Sequence, residues 1–147
     1  MQVLQLDLCG RILTENDITN TIVTQNFSLP ALTTISLTGA YQLTDFGLSK
    51  LARCASALQS VNLSQCSLLT NEGINLLVKH LKSTLRVLYI DHCQNIDAVS
   101  MLPALRKLNC LEVLSVAGIE TVDDYFVTEI VRAHCLNMRQ LVLANCG

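Results

Sequence analysis

The sequence contains no tryptophan, two prolines in 147 residues, and only 4% aromatic and 15% charged residues. No apolar run comes close to the roughly 18 residues that a membrane-spanning helix needs. No charged segment followed by an apolar one stands at the amino terminus, as it would in a secretory signal. We therefore expect a protein that has no membrane partner and is not exported by a signal peptide.

Motifs that carry catalytic or metal chemistry are also missing. The sequence has no C-x-x-C pair, no H-x-x-x-H pair and no glycine-rich phosphate loop. His80 and His134 lie near predicted helix ends, where a cap or a surface position is the usual role. Asp91-His92-Cys93 joins an acid, an imidazole and a thiol, but strand alternation places His92 outward and Cys93 inward. We expect no enzyme activity, no metal, no cofactor and no small-molecule ligand.

The cysteines are present in an odd number, seven, and most of them recur at one position of a repeating pattern: Cys9, Cys66, Cys93 and Cys146. That position requires a small buried apolar side chain, which a free cysteine supplies. Unpaired thiols fit a reducing compartment. The expected location is therefore the nucleus or the cytoplasm.

Half of the residues are hydrophobic, and their spacing repeats along the chain. The frame L-x-x-L-x-L-x-x-C describes a short strand with alternating faces and precedes apolar residues at helical spacing. Its copies start at 1, 32, 58, 85, 111 and 138, separated by 31, 26, 27, 26 and 27 residues. The frame is filled by Met1, Leu4, Leu6, Cys9; Leu32, Ile35, Leu37, Ala40; Leu58, Val61, Leu63, Cys66; Leu85, Leu88, Ile90, Cys93; Leu111, Leu114, Val116, Ile119; and Met138, Leu141, Leu143, Cys146.

This recurrence predicts about five and a half leucine-rich repeats forming a single domain over residues 1–147. The expected α/β fold is a right-handed solenoid with a parallel sheet on its concave side and helices on its convex side. One repeat cannot bury its own apolar strand and helix faces, so each repeat depends on its neighbours. The chain begins and stops inside repeat strands. We therefore expect a segment of a longer protein, or else two ends that each meet a partner.

Helix starts follow the strands at capping residues or acidic clusters, namely Thr44, Thr70, Asp97 and Val122-Asp123-Asp124. Proline restricts the residue before it and lacks an N–H group. Pro103 is therefore expected to end the helix of the fourth repeat at Leu102, with a turn before Leu105 and Leu108.

Charged residues follow the polarity of the predicted helices. Acids fall in first turns, and bases fall in last turns or just after, which complements the helix dipole. Stacking the repeats gathers the bases into one basic edge: Lys50, Arg53, Lys79, Lys82, Arg106 and Lys107. Dipole complementarity explains this edge without any function. The alternative is salt-dependent contact with an acidic protein surface or with phosphates.

The concave face is mostly small and neutral and carries no lysine or arginine, which disfavours nucleic-acid binding there. Its candidate protein-binding residues are Gln5, Asp7, Asn62, Gln65, Tyr89, Asp91 and His92. Tyr89, Asp91 and His92 stand out as larger or titratable side chains among short neighbours, and aromatic side chains often anchor interfaces. The alternative is that Tyr89 only packs on its cross-strand neighbours.

The segments L-S-Q-C at 63–66 and L-T-D-F-G-L at 43–48, together with the period, resemble the cysteine-containing subclass of leucine-rich repeats. That subclass is familiar from F-box substrate receptors of cullin-based ubiquitin ligases. More narrowly, the chain resembles plant repeat proteins of the Rad-seven type, which act in nucleotide excision repair. The narrower resemblance is carried by L-D-L-C-G-R at 6–11, L-S-Q-C-S-L-L-T at 63–70 and L-Y-I-D-H-C-Q-N-I-D at 88–97.

This resemblance implies a nuclear adaptor that acts with a DNA-translocating partner in damage recognition and takes part in a ubiquitin ligase. The chain itself carries no F-box segment and no zinc-binding or basic amino-terminal region, so those roles fall on no residue of this sequence. The expected function is protein binding, as the partner- or substrate-recognition repeats of a repair or ubiquitin-ligase adaptor. The alternative is a DNA-binding module that uses the basic edge.

Overall fold

The structure is a computed structural model and describes residues 2–5 and 32–146. The described strands are β1 (Gln2–Gln5), β2 (Leu32–Ser36), β3 (Ser60–Asn62), β4 (Val87–Tyr89), β5 (Val113–Ser115) and β6 (Gln140–Val142). The described helices are α1 (Asp45–Cys54), α2 (Asn71–Leu81), α3 (Ala98–Leu105) and α4 (Asp124–His134). In the first repeat, Met1, Leu6, Asp7 and Cys9 lie outside the described residues.

The described strands form one parallel sheet in sequence order, β1 to β6. The second apolar residue of the frame is paired in register from each strand to the next. These residues are Leu4, Ile35, Val61, Leu88, Leu114 and Leu141. A one-residue slip in register would turn each of these side chains to the opposite face. The leucine-rich-repeat solenoid predicted from the spacing is therefore confirmed, with its parallel concave sheet and convex helices.

The core lies between the sheet and the helices. From the second to the fifth repeat, no frame residue is more than 3% exposed, whereas Met138, Leu141, Leu143 and Cys146 in the sixth are partly buried. Frame cysteines also bond between repeats, because the Cys66 thiol donates to the Leu37 carbonyl and the Cys93 thiol to the Leu63 carbonyl, both at 3.2 Å. The frame cysteine is therefore a small core residue that also satisfies a carbonyl of the preceding repeat.

Each described helix begins at the expected cap. The Thr44 and Thr70 hydroxyls accept from the backbone N–H groups of Gly47 and Glu72, both at 3.2 Å. The carboxylates of Asp97 and Asp123 accept in the same way from Ser100 and Phe126, both at 2.8 Å. These bonds satisfy N–H groups that have no partner inside the helix.

Side chains at the helix starts also join one repeat to the next. The Asp45 carboxylate accepts from the Thr70 N–H at 2.9 Å and from its hydroxyl at 2.6 Å. The Asn71 side chain forms two bonds with the backbone of Asp97, at 2.7 and 3.0 Å. The helix starts are therefore connected by a series of hydrogen bonds that runs along the solenoid.

The predicted end of α3 at Leu102 was wrong, because the helix continues through Pro103 to Leu105. The ring of Pro103 is on the exposed side of the helix, and the backbone N–H of Arg106 still donates to the Leu102 carbonyl at 3.0 Å. Because proline has no N–H group, α3 continues through Pro103 with one helical hydrogen bond fewer.

Of the two roles that a place near a helix end suggested for His134, a cap or a surface position, the structure shows the cap. Only 4% of it is exposed, and its Nε2 atom lies 2.9 Å from the carbonyl oxygen of Leu105. Because that oxygen only accepts, Nε2 carries the proton. Leu105 is the last residue of α3, so His134 donates to a carbonyl at the end of the neighbouring helix rather than of its own.

Candidate protein-binding surface

Tyr89 lies in the middle of the concave sheet. It is partly buried, and its neighbours in register are Asn62 on β3 and Ser115 on β5. The Asn62 side chain accepts from the Ser64 backbone N–H at 3.0 Å, which fixes its orientation. None of the described strands contains lysine or arginine. The sheet therefore presents one phenol flanked by short polar side chains. Gln5 lies in β1, and Asp7 is outside the described residues.

Asp91 holds the adjacent repeat in place. Its Oδ1 atom accepts from the hydroxyl of Ser115 and from the backbone N–H of Ala117, the latter at 2.8 Å. Its own N–H lies 3.3 Å from the hydroxyl of Ser64. Ser64, Ser115 and Ala117 are all buried, so Asp91 bonds to both neighbouring repeats beneath the surface. The sequence pattern identified Asp91 as prominent but did not indicate this bridging role.

After each of the strands β2 to β6, one residue has a left-handed backbone. We call these residues the left-handed row: Gly39, Gln65, His92, Gly118 and Asn145, with φ values of 79°, 62°, 57°, 72° and 58°. Most of their N–H groups donate to the next repeat, as Gln65 does to Asp91 and His92 to Ala117, both at 2.8 Å. Glycine adopts this conformation freely and asparagine tolerates it, whereas other side chains cost about 1 kcal/mol or more. Gln65 and His92 therefore occupy positions where glycine would be easier to fold.

The side chains of Gln65 and His92 are exposed on adjacent repeats. The His92 imidazole lies against the backbone of Gly118, where an added Cβ atom would collide with it. A cavity of about 420 Å³ opens beside this contact, and Gln94, Glu120 and Thr121 are among its lining residues. The neighbouring ends of β3 and β4 thus combine a concave aromatic residue with two exposed polar side chains of the left-handed row.

The thiol of Cys93 points into the core, as strand alternation predicted, and is not exposed. Burial is the main cause that raises the pKa of Cys93 to about 11, and burial likewise raises the pKa of Cys66 to about 12. A thiol is nucleophilic only as the thiolate. The described part of the chain also has no group of three histidine, cysteine or carboxylate side chains that could hold a metal ion.

The predicted basic edge separates into different environments. Lys79, Lys82 and Lys107 line the same groove between α2 and α3. The pKa of His80 is lowered mainly by burial and then by the positive charges of Arg53 and Lys79, which lie nearby. The other two members are engaged locally: Lys50 Nζ lies 4.3 Å from the Phe46 ring centroid, and Arg106 is paired with Glu129.

Protonation of His134 is expected to weaken the fold in mild acid. Burial lowers its pKa below the ordinary value of 6.5, and the Leu105 carbonyl opposes this only in part. The unfolded chain then binds a proton at a higher pH than the folded chain, so stability is lost as pH falls below about 6.5. In urea titrations, His134→Gln should flatten the pH profile over this range. The variant His80→Asn measures separately how much of the pH dependence comes from the other histidine with a lowered pKa. An unchanged pH profile in His134→Gln would contradict the assignment of this pH dependence to His134.

No described helix is long and apolar enough to cross a membrane.

No protein-family model matches the chain, and no curated protein sequence matches it significantly. Among solved structures, a chain of the yeast Rad7 and Elc1 complex is similar, with 21% identity and a TM-score of 0.72 over 89% of this chain. This chain spans only 33% of that yeast chain. The actin-binding site 2 of leiomodin-1 is similar at 15% identity and a TM-score of 0.61, over 88% of this chain and 76% of that one. At these identities, the comparisons show a shared fold.

Proposed function

We propose that the protein is a protein-interaction module that binds its partner along the concave end of β4. The contact residues are Tyr89 and the exposed side chains of Gln65 and His92. The observation that carries this proposal is that two adjacent members of the left-handed row are not glycine, although glycine fills the flanking positions Gly39 and Gly118.

Strained backbone persists where a side chain is needed for another purpose. Glutamine is unfavourable in the left-handed conformation, and histidine is tolerated less well than glycine. Both side chains are exposed, and Gln65 belongs to the strand turn that neighbours Tyr89. Partly buried hydrogen bonds of Asp91 hold the backbone beneath them, so the two side chains lie on a rigid support. A rigid surface with an aromatic centre is what a protein partner can use without a large ordering cost.

The proposed setting is a ubiquitin-ligase or DNA-repair assembly, in which these repeats recognise a partner or substrate. Two observations support it: the sequence resemblance to cysteine-containing repeats, and the fold similarity to a chain of the Rad7 and Elc1 complex. The free cysteines among the described residues suit the reducing nucleus or cytoplasm. The proposal assigns no catalytic step to this chain, since the thiol next to His92 is buried and protonated.

The glycine replacements Gln65→Gly and His92→Gly, made together, test the concave contact. Each relieves a left-handed side chain but adds unfolded-state freedom, and these effects oppose one another at about 1 kcal/mol each. The free energy of unfolding should therefore stay within about 1 kcal/mol of the wild type. Binding should fall at least tenfold, measured by quantitative co-purification of ligase and repair subunits with the tagged protein.

Asn145→Gly is the matched control, because it removes a side chain from the same left-handed row at a distance from Tyr89. It should leave both stability and binding unchanged. Equal loss of binding in Asn145→Gly, or full binding in the double variant, would contradict the concave site. A salt titration with duplex DNA tests the alternative that the basic edge binds DNA. Tight association that weakens steeply with salt would favour DNA binding over protein binding as the function.

A further inference from the structure

A groove of about 540 Å³ lies between α2 and α3 on the convex side, away from the concave surface. Helix α3 has eight residues, whereas the other described helices have ten or eleven. Its contribution to the groove wall consists of the compact side chains of Pro103 and Ala104. The short helix and its small side chains leave a space within the range of about 300 to 1,000 Å³ that is common for ligand clefts.

The groove combines an apolar floor with a cationic rim. Leu76 and Val78 of α2 face it together with Pro103 of α3. Lysines stand at the carboxyl-terminal ends of both helices, with Lys79 and Lys82 on one side and Lys107 on the other. Glu72 lines the opposite end, near the start of α2. The charge of the groove is therefore asymmetric along its length, with lysines at one end and Glu72 at the other.

The lysines of the rim differ from three of the arginines of the same molecule. Within residues 32–146, Arg86, Arg106 and Arg132 are each paired with a glutamate. None of the three rim lysines has an ion-pair partner in that range. Helix-dipole complementarity needs one base at a helix end. It does not require three unpaired lysines to converge on an apolar groove.

We propose that this groove binds a short acidic segment of a partner protein. Carboxylates of the segment lie over Lys79, Lys82 and Lys107, where charge-assisted hydrogen bonds form. An aliphatic side chain of the segment packs on Leu76 and Pro103. Because Glu72 repels acids at the other end, the segment binds in one orientation. This contact is on the convex side and does not depend on the concave site.

Two features favour a peptide over nucleic acid. Phosphate backbones require a row of cations that neutralises several charges, and the groove offers only one short cluster. The apolar floor at Leu76 and Pro103 gives a phosphate chain nothing to bind, whereas an aliphatic side chain gains by burial there.

Selection from a random library of short displayed peptides tests the proposal. Peptides enriched on the wild-type protein should combine aspartate or glutamate with leucine, isoleucine or valine. Their affinity, measured by fluorescence anisotropy with the synthetic peptide, should fall on the order of tenfold in Lys79→Glu and in Lys107→Glu. It should also fall when the acidic residues of the peptide are replaced by their amides.

Lys50→Glu is the matched control, since it makes the same charge reversal outside the groove. It should leave peptide affinity within a factor of about two after allowance for the change in net charge. Circular dichroism on all variants separates misfolding from lost contact. Enrichment of neutral or basic peptides, an equal effect of Lys50→Glu, or tighter binding of a DNA duplex through the same lysines would overturn the proposal. Intact peptide binding in the concave-site variant would show that the two surfaces act separately.

Discussion

Replacing Leu88 by alanine should lower the free energy of unfolding by about 3 kcal/mol, within the range of about 2 to 5 kcal/mol found for buried leucines. Leu88 is the frame residue of β4, is not exposed, and is paired in register with Val61 on one side and Leu114 on the other. Its truncation leaves a cavity bounded by two repeats. Because each repeat is stabilised mainly by its neighbours, the loss affects both interfaces. Urea titration followed by circular dichroism measures it.

Val87→Ala is the control for this prediction, since Val87 precedes Leu88 in the same strand and is only partly buried. Successive strand residues face opposite sides, so Val87 lies on the concave face. Its replacement should cost less than about 1 kcal/mol. Equal effects at Val87 and Leu88 would mean that the two faces of the sheet are wrongly assigned, and the solenoid would then fail as an account of this chain.

The sheet and its register were predictable because they depend on a local, periodic signal. Each copy of the frame specifies one strand, and the spacing between copies leaves room for one helix and two short turns. Helix starts were predictable for the same reason, since Thr70 and Asp123 cap N–H groups only two or three residues away. Both kinds of information lie within one repeat of the sequence.

Contacts between repeats were less predictable. No pattern within one repeat shows that Asp45 bonds to Thr70, or that His134 donates to Leu105. These partners are separated by about one period, and their pairing depends on the helix length and tilt of two neighbouring repeats. The left-handed row had a visible signal, because Gly39 and Gly118 share one frame position with Gln65 and His92. Comparing residues at that position across the copies would have found it.

The difference between signals within one repeat and contacts between repeats also decides which candidate residues are structural and which are available to a partner. Asp91 stands out in the sequence as a charged residue among small ones, yet its carboxylate is engaged by the adjacent repeat. In the sequence, the lysines of the groove belong to a longer basic edge, and only some members of that edge line the groove. In both cases, sequence position identifies the residue, and the packing of the next repeat decides whether its charge is available to a partner.

Gly73→Ala should destabilise the wild-type protein by about 1 to 1.5 kcal/mol, although alanine is normally the better helix residue by about 0.5 to 1 kcal/mol. Gly73 is buried in the first turn of α2, and a Cβ atom added there would collide with the Asp45 carboxylate. The carboxylate would have to leave Thr70, to which it makes two hydrogen bonds. Each lost bond costs about 1 kcal/mol.

The Asp45→Ala background reverses the expected sign. Asp45→Ala alone should cost about 2 kcal/mol, because it removes the same two hydrogen bonds. Once the carboxylate is gone, Gly73→Ala meets no obstacle and should stabilise the protein by about 0.5 to 1 kcal/mol through helix propensity. A double-mutant cycle in urea should therefore give a coupling energy of about 2 kcal/mol or more. Additive effects would show that Gly73 and Asp45 do not meet, and that α1 and α2 are not joined at their starts by this close approach.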